Sequence, residues 1–184
     1  MSIILRVINR LKEFSFLLFA KVRYGNRFLI GRNVRFHKGT SLVMDDKSRF
    51  SVGNSFFARD YFYIRIENGN VEIGDNVFFN NFCSVNSVGG GKILIGDNCI
   101  FGENVRLYDH NHNYMDENSP IRKQGFSSGK ISIGENVWIG SNVTILKDVS
   151  IGSNCVIGAG SVVFRNIPDN SILLSNGTIK AKKG

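Results

Sequence analysis

An all-β fold, a parallel β-helix wound from six-residue repeats, is predicted by three features of this 184-residue chain. An aliphatic residue returns every six positions, at Ile133, Ile139, Ile145, Ile151, Ile157 and Val163, and Gly follows four of these six. The fifth place of each hexad holds a small or medium side chain: Val137, Val143, Val149, Cys155, Ser161 and Ile167. An α-helical stripe would return at three and four residues instead. A Gly at most corners forbids one long strand. Short strands joined by tight corners remain, and hexapeptide repeats of this kind stack as a parallel β-helix. Three hexads make a triangular coil of about 18 residues, with the repeated aliphatics stacked inside about 4.8 Å apart.

Taken in order, the chain divides into a helical segment at 1–27, a coil domain at 28–176 and a basic tail at 177–184. Residues 2–24 predict a helix. Ile4, Val7, Ile8, Leu11, Leu18 and Val22 recur at helical spacing, and Phe14, Leu17 and Phe19 widen the stripe. Such a helix either caps the open end of the coil, as solenoids require, or lies on an anionic lipid surface, and the two roles are compatible. The hexad register starts at Ile30, blurs from Val43 to Gly69, and returns at Ile73. The next marker, Ile95, is about four residues late, with Gly89–Gly91 and Lys92 as the apparent insertion. Ile95, Phe101 and Leu107 then keep time, but the following marker falls only at Ile133. A loop at about 109–130, opening with two histidines, is therefore predicted to leave the coil, and long loops in compact domains are usually functional or disordered.

The net charge of +8 sits at the two ends. Residues 1–27 carry six Lys/Arg against one Glu, residues 178–184 carry three Lys, and the body is balanced. No basic face in the body argues for nucleic acid. The basic ends suit a membrane surface at one end and a phosphate-bearing ligand at the other. Cys83, Cys99 and Cys155 all fall at the fifth hexad place and read as small packing residues in a reducing compartment. The apolar run Phe16–Ala20 is too short for a secretory signal or a membrane span. A cytoplasmic location follows as the expectation, with peripheral contact at the inner face of the plasma membrane through residues 2–24.

Three stretches together carry a family resemblance: IGENVWIGSNVTI, the YDHNH opening of the loop, and GAGSVVFRNIPDN. Over roughly residues 28–176 the chain resembles the hexapeptide-repeat acyltransferases, among them galactoside, maltose and serine acetyltransferases. It resembles most the O-acetyltransferases of capsule, O-antigen and exopolysaccharide synthesis. The resemblance implies a left-handed coil, a homotrimer with active sites between subunits, and acetyl-CoA as donor without a metal. It also implies direct transfer of the acetyl group to a sugar hydroxyl, with a His as base. His110, at the root of the loop, is the expected base, because imidazole titrates near neutral pH. His112 is the rival, and Asp109 could orient an imidazole. Asn81 and Tyr108 are expected near the acceptor. Trp138, the only tryptophan, should face outward and shape the site. Gly140, Ser141, Gly158, Ala159 and Gly160 stack on corners that the resemblance assigns to the pantetheine arm. The fold alone would also place Gly there. Arg165, Lys180 and Lys183 are assigned to the CoA phosphates, although the Gly-x-Pro-x-Lys/Arg ending of the family is replaced by Asn176-Gly177-Thr178-Ile179-Lys180.

Three other readings bear comparison. One is N- or O-transfer to a nucleotide sugar or a small sugar. A second is a zinc enzyme of the γ-carbonic-anhydrase kind, which shares the coil and needs three His. His37 stands about four coils from His110 by the repeat count, near 19 Å at ~4.8 Å per coil, which is far outside a zinc shell. The third is a trimeric scaffold without catalysis.

Overall fold

The computed structural model describes residues 3–182 and, within the N-terminal helix, the side chains of residues 10, 11 and 13–24. The predicted phosphate contact Lys183 lies outside the described residues, as do the side chains of the predicted apolar positions Ile4, Val7 and Ile8. One helix, α1 (Ile3–Tyr24), precedes a solenoid of short strands stacked in three parallel sheets of six, eight and six strands. The eighth strand of the second sheet, Ile179–Ala181, instead runs antiparallel to Ser171–Leu173 and ends the stack. The all-β parallel coil is as predicted and is consistent with the left-handed winding that the resemblance implies. The basic end is not a free tail, because its strand belongs to the last sheet.

The coil forms because each corner removes its own strain. Asn76, Asn98, Asn136 and Asn154 all sit at positive φ, where a short amide side chain is tolerated. They also bond up the stack, Asn136 Nδ2 to Asn154 Oδ1 at 2.8 Å and Asn154 Nδ2 to Asn170 Oδ1 at 3.2 Å. This explains the Asn of the repeated IGxN. Gly beside it is a packing demand: a Cβ on Gly96 would lie 2.8 Å from the Gly134 carbonyl carbon of the next coil.

The region where the hexad signal blurs is regular in structure. Phe28 pairs with Phe50, Phe50 with Val71 and Val71 with Ile93, so these coils take 21 or 22 residues rather than 18. From Ile131 to Val149 the shorter repeat holds. The additional residues recur in every early coil; those at Gly89–Lys92 are one case of three. They lengthen the strands Ser41–Met44, Tyr63–Glu67 and Ser84–Val88 of the third sheet. This adds one inward column, in which Met44 pairs with Ile66 and Ile66 with Ser87. The wider interior is filled by rings rather than by Ile and Val. Phe28, Phe36, Phe50, Phe56, Phe62, Phe79 and Phe101 are all buried.

The α1 helix closes the first coil, but through a different face from the apolar stripe. Leu11, Leu18 and Val22 are exposed, whereas Ala20 and Tyr24 are buried and Glu13 is nearly so. Glu13 accepts two hydrogen bonds from the Arg35 guanidinium, from Nε at 3.1 Å and from Nη2 at 3.0 Å. An ion pair, Ala20 and Tyr24 therefore make the joint together with the partly buried Phe16 and Leu17, while most of the predicted apolar stripe faces outward.

Candidate active site

The predicted excursion is real and is itself ordered. His110–His112 and Phe126–Ser128 form an antiparallel hairpin outside the coil. Its strands leave and rejoin without breaking the stack, since Lys92 pairs directly with Lys130. Gln124 knits the tip. Its Nε2 donates to the carbonyls of Asp116 and Ser119 at 2.8 and 2.7 Å, and its Oε1 accepts from Asp116 N–H at 3.1 Å.

The predicted loop begins one residue too early, because Asp109 belongs to the coil. Tyr108 pairs with Asn86, so Asp109 comes next in register to Ser87, in the additional inward column. It is fully buried. Gly91 gives it room: a Cβ there would stand 2.1 Å from Asp109 Oδ2. Oδ1 accepts the Val88 N–H at 3.0 Å and lies 3.2 Å from His110 Nδ1. Oδ2 and Ser87 Oγ are buried without a hydrogen-bond partner among the described residues. Burial pushes the Asp109 carboxyl above the usual carboxylate range, opposed by the nearby Ser87 hydroxyl, the Val88 N–H and His110. Adjacent residues often point apart; here the turn out of the coil brings Asp109 and His110 together.

A stability prediction follows from that burial. A carboxyl whose folded pKa is raised contributes most below its unfolded pKa of about 3.9 and loses that contribution as pH rises through the folded value. Asn does not titrate and keeps an acceptor for Val88. Asp109→Asn is expected to stabilise the fold at neutral pH, by an amount that shrinks as pH falls toward 4. Denaturant midpoints across pH check this, and a pH-independent difference would contradict it.

Around His110 the rings are arranged edge to face. Its centroid lies 5.3 Å from Phe126 and 6.3 Å from Tyr108. Phe126 also packs 4.5 Å from His112, which is the more exposed histidine. His112, Asn111, Tyr114, Lys123 and Lys147 line a polar cavity of about 610 Å3 on the hairpin. Phe126, beside both histidines, and Ser87, beside Asp109, escape sequence reasoning, since nothing in FSSGK or SVGGG marks them.

The other predicted residues lie elsewhere on the coil. Asn81 is one corner back, where its Nδ2 donates to Glu103 Oε1 at 3.1 Å and its Oδ1 accepts from Asp60 N–H at 3.3 Å. It does not meet His110 within one chain. Trp138 faces outward as expected, 56% exposed, on the second sheet between Ile100 and Val156. His110 follows a strand of the third sheet, so one chain does not bring these two together. Gly140, Ser141, Gly158, Ala159 and Gly160 do stack, and a Cβ on Gly140 would lie 2.6 Å from the Ala159 nitrogen. The N–H groups of Gly140, Gly158 and Gly160 donate to Ile157, Leu173 and Ser141 carbonyls. Arg165 donates to the Gly177 carbonyl, and Lys180 is exposed on the last strand.

His37 sits in the first coil, three coils from His110 rather than four. It is held between Asp60, at 2.6 Å from Nδ1, and Glu13, at 3.6 Å from Nε2. Among the described residues, no three His, Cys, Asp or Glu side chains are grouped to hold a metal ion.

A stacked coil of hexads with an extruded histidine hairpin defines a class, the hexapeptide-repeat proteins. Residues 130–165 match the family described as Bacterial transferase hexapeptide (six repeats). A galactoside O-acetyltransferase of Lactococcus lactis is 34% identical over 139 residues, covering 74% of this chain and 65% of that protein. A putative lipopolysaccharide biosynthesis O-acetyl transferase of Escherichia coli, WbbJ, is 31% identical over 112 residues, covering 57% of this chain and 56% of its own length. The chain thus spans between about half and two thirds of these curated relatives. In structure, the coil resembles a variant of AntD, an N-acyltransferase from Bacillus cereus solved with dTDP and Coenzyme A. The TM-score is 0.69 at 21% identity, over 90% of this chain and 88% of that one. That likeness concerns the fold.

Proposed function

We propose that this protein is an acetyl-CoA-dependent O-acetyltransferase acting on a sugar hydroxyl in the synthesis of a bacterial surface polysaccharide. One observation carries the reading: His110 stands at the root of an ordered hairpin with Nδ1 turned to the buried Asp109. An ionised Asp109 fixes the tautomer with hydrogen on Nδ1, which leaves Nε2 unprotonated. Nε2 then takes the proton of an acceptor hydroxyl as its oxygen attacks the thioester carbonyl. The C–S bond breaks, and the His110 imidazolium returns the proton to the leaving CoA sulfur. The products are an acetyl ester and CoA, with no acyl-enzyme.

The separation of His110 from Trp138 supports active sites shared between copies, because neither residue can reach the other within one chain. In that reading the exposed indole and the glycine corners of one copy face the hairpin of the next, in a homotrimer. Lys180, Lys183 and Arg165 would meet the CoA phosphates. His112 and the hairpin cavity, walled by amides, an aromatic ring and two lysines, would hold the sugar. Likeness to WbbJ supports a surface polysaccharide. Likeness to the galactoside enzyme favours the second reading, a free or nucleotide-linked small sugar.

The test has two parts. Proton NMR of the host's surface polysaccharide, with the native gene and with its deletion, is expected to show an O-acetyl signal only with the gene. Purified protein with acetyl-CoA and a panel of free and nucleotide-linked sugars then measures thiol release. An unchanged polysaccharide with turnover on a small sugar would select the second reading. No thiol release on any acceptor and no spectral change would defeat both.

A further inference from the structure

The α1 helix is held firmly by one face, and its opposite face is uncovered. Beyond the Glu13–Arg35 pair, the Tyr24 hydroxyl donates to the Leu42 carbonyl at 2.9 Å and Lys21 Nζ donates to the Phe28 carbonyl at 3.3 Å. Phe16 packs 5.2 Å from Phe36. These contacts fix the roll of the helix. The residues turned outward are Leu11, Phe14, Leu18 and Val22, exposed by 63%, 65%, 55% and 79%. Their spacings of three, four and four make one continuous ridge, and Phe19 stands beside it at 64%. Contiguous exposed apolar surface of this kind marks an interaction site rather than ordinary scatter.

Charge identifies the partner. At about 100° per residue, Arg10 and Lys21 fall on one flank of the ridge, whereas Arg23 lies past Phe19, toward the docked face. Glu13, the only acidic residue among residues 1–27, is buried against Arg35 and lies 4.0 Å from Arg10, so it offsets Arg10 in part and leaves Lys21 without a carboxylate partner from this segment. A second copy of the same ridge would bring like charges together. An anionic bilayer offers both an apolar interior for the ridge and phosphates for its basic flank. We propose that α1 lies in the interfacial plane of an anionic membrane, with Leu11, Phe14, Leu18 and Val22 inserted and Arg10 and Lys21 at the headgroups. The helix does not cross the membrane: no helix among the described residues is long and apolar enough to do so.

The test is co-sedimentation of the full chain with vesicles of phosphatidylcholine alone or mixed with phosphatidylglycerol. The native protein is expected to pellet with the mixed vesicles and to be released by high salt, because exposed charges are screened. Phe14→Ser/Leu18→Ser, which alters only exposed side chains, is expected to bind at least about tenfold more weakly. Lys21→Glu, which reverses the charge of an exposed flanking cation, is expected to weaken the preference for anionic lipid. Native protein that stays in solution with both vesicle types overturns the proposal. So does a Phe14→Ser/Leu18→Ser protein of lower oligomeric mass than the native one, because the ridge would then be a contact between copies. Neither readout depends on acetyl transfer, so this inference stands or falls apart from the catalytic one.

Discussion

Replacing His110 with Ala is expected to slow acetyl transfer by about 10²- to 10⁴-fold, the usual contribution of a positioned general base. The loss should fall on kcat, since the imidazole of the proposed mechanism acts on a proton in flight and binds neither substrate tightly. Folding and binding of acetyl-CoA should survive, because the hairpin lies outside the coil and the stack passes it by direct pairing of Lys92 with Lys130. His112→Ala is the informative companion. His112 lines the hairpin cavity and has no carboxylate partner like Asp109, so its loss should raise KM for the acceptor more than it lowers kcat. Thiol release under saturating acetyl-CoA separates the two variants. A His110→Ala protein with near-native kcat, beside a His112→Ala protein without turnover, would move the base two residues along the same strand.

The largest effect on stability should come from Phe79→Ala. The Phe79 ring is fully buried and is stacked on Phe101 with centroids 4.0 Å apart and planes 9° apart. It also meets Phe62 at 4.8 Å and Phe56 at 6.1 Å. Removing a buried ring in this setting costs about 3–5 kcal/mol, against total stabilities of about 5–15 kcal/mol. Coil stacking adds to the cost, since each coil of a solenoid leans mainly on its neighbours and Phe79 joins two of them. The guanidinium midpoint should fall sharply. A loss under about 1 kcal/mol would mean that the aromatic interior repacks freely. The wide, ring-filled coils would then contribute less than the aliphatic ones that follow.

Residues 133–168 declare the coil in the sequence because a narrow triangular interior accepts only Ile, Val and other small residues, at a fixed period. The earlier coils hide it. One additional inward residue per coil changes the period, and Phe takes the places that the pattern reserves for Ile and Val. The same added column conceals the most informative feature of the candidate site. From the sequence, Asp109 reads as the first residue of a polar loop, but in the structure it is the last residue of the column begun by Met44, Ile66 and Ser87. His110 and the excursion are legible, because a missing marker is as plain as a present one. The face by which α1 docks is not, since the Glu13–Arg35 pair, Phe16 and Tyr24 hold it while most of the larger apolar stripe is left outside.

The three buried cysteines turn the coil into its own recorder of opening. Cys83, Cys99 and Cys155 stand at successive heights in the stack. Burial pushes the Cys83 and Cys99 thiols up to about 11, and reagents attack the thiolate. In the closed coil all three sulfurs are buried away from a thiol dye, and colour in a coupled assay belongs to released CoA. Under mild denaturant the same dye becomes a probe of position. The order in which the three sulfurs answer tells whether the solenoid unwinds from its C-terminal end or lets go all at once.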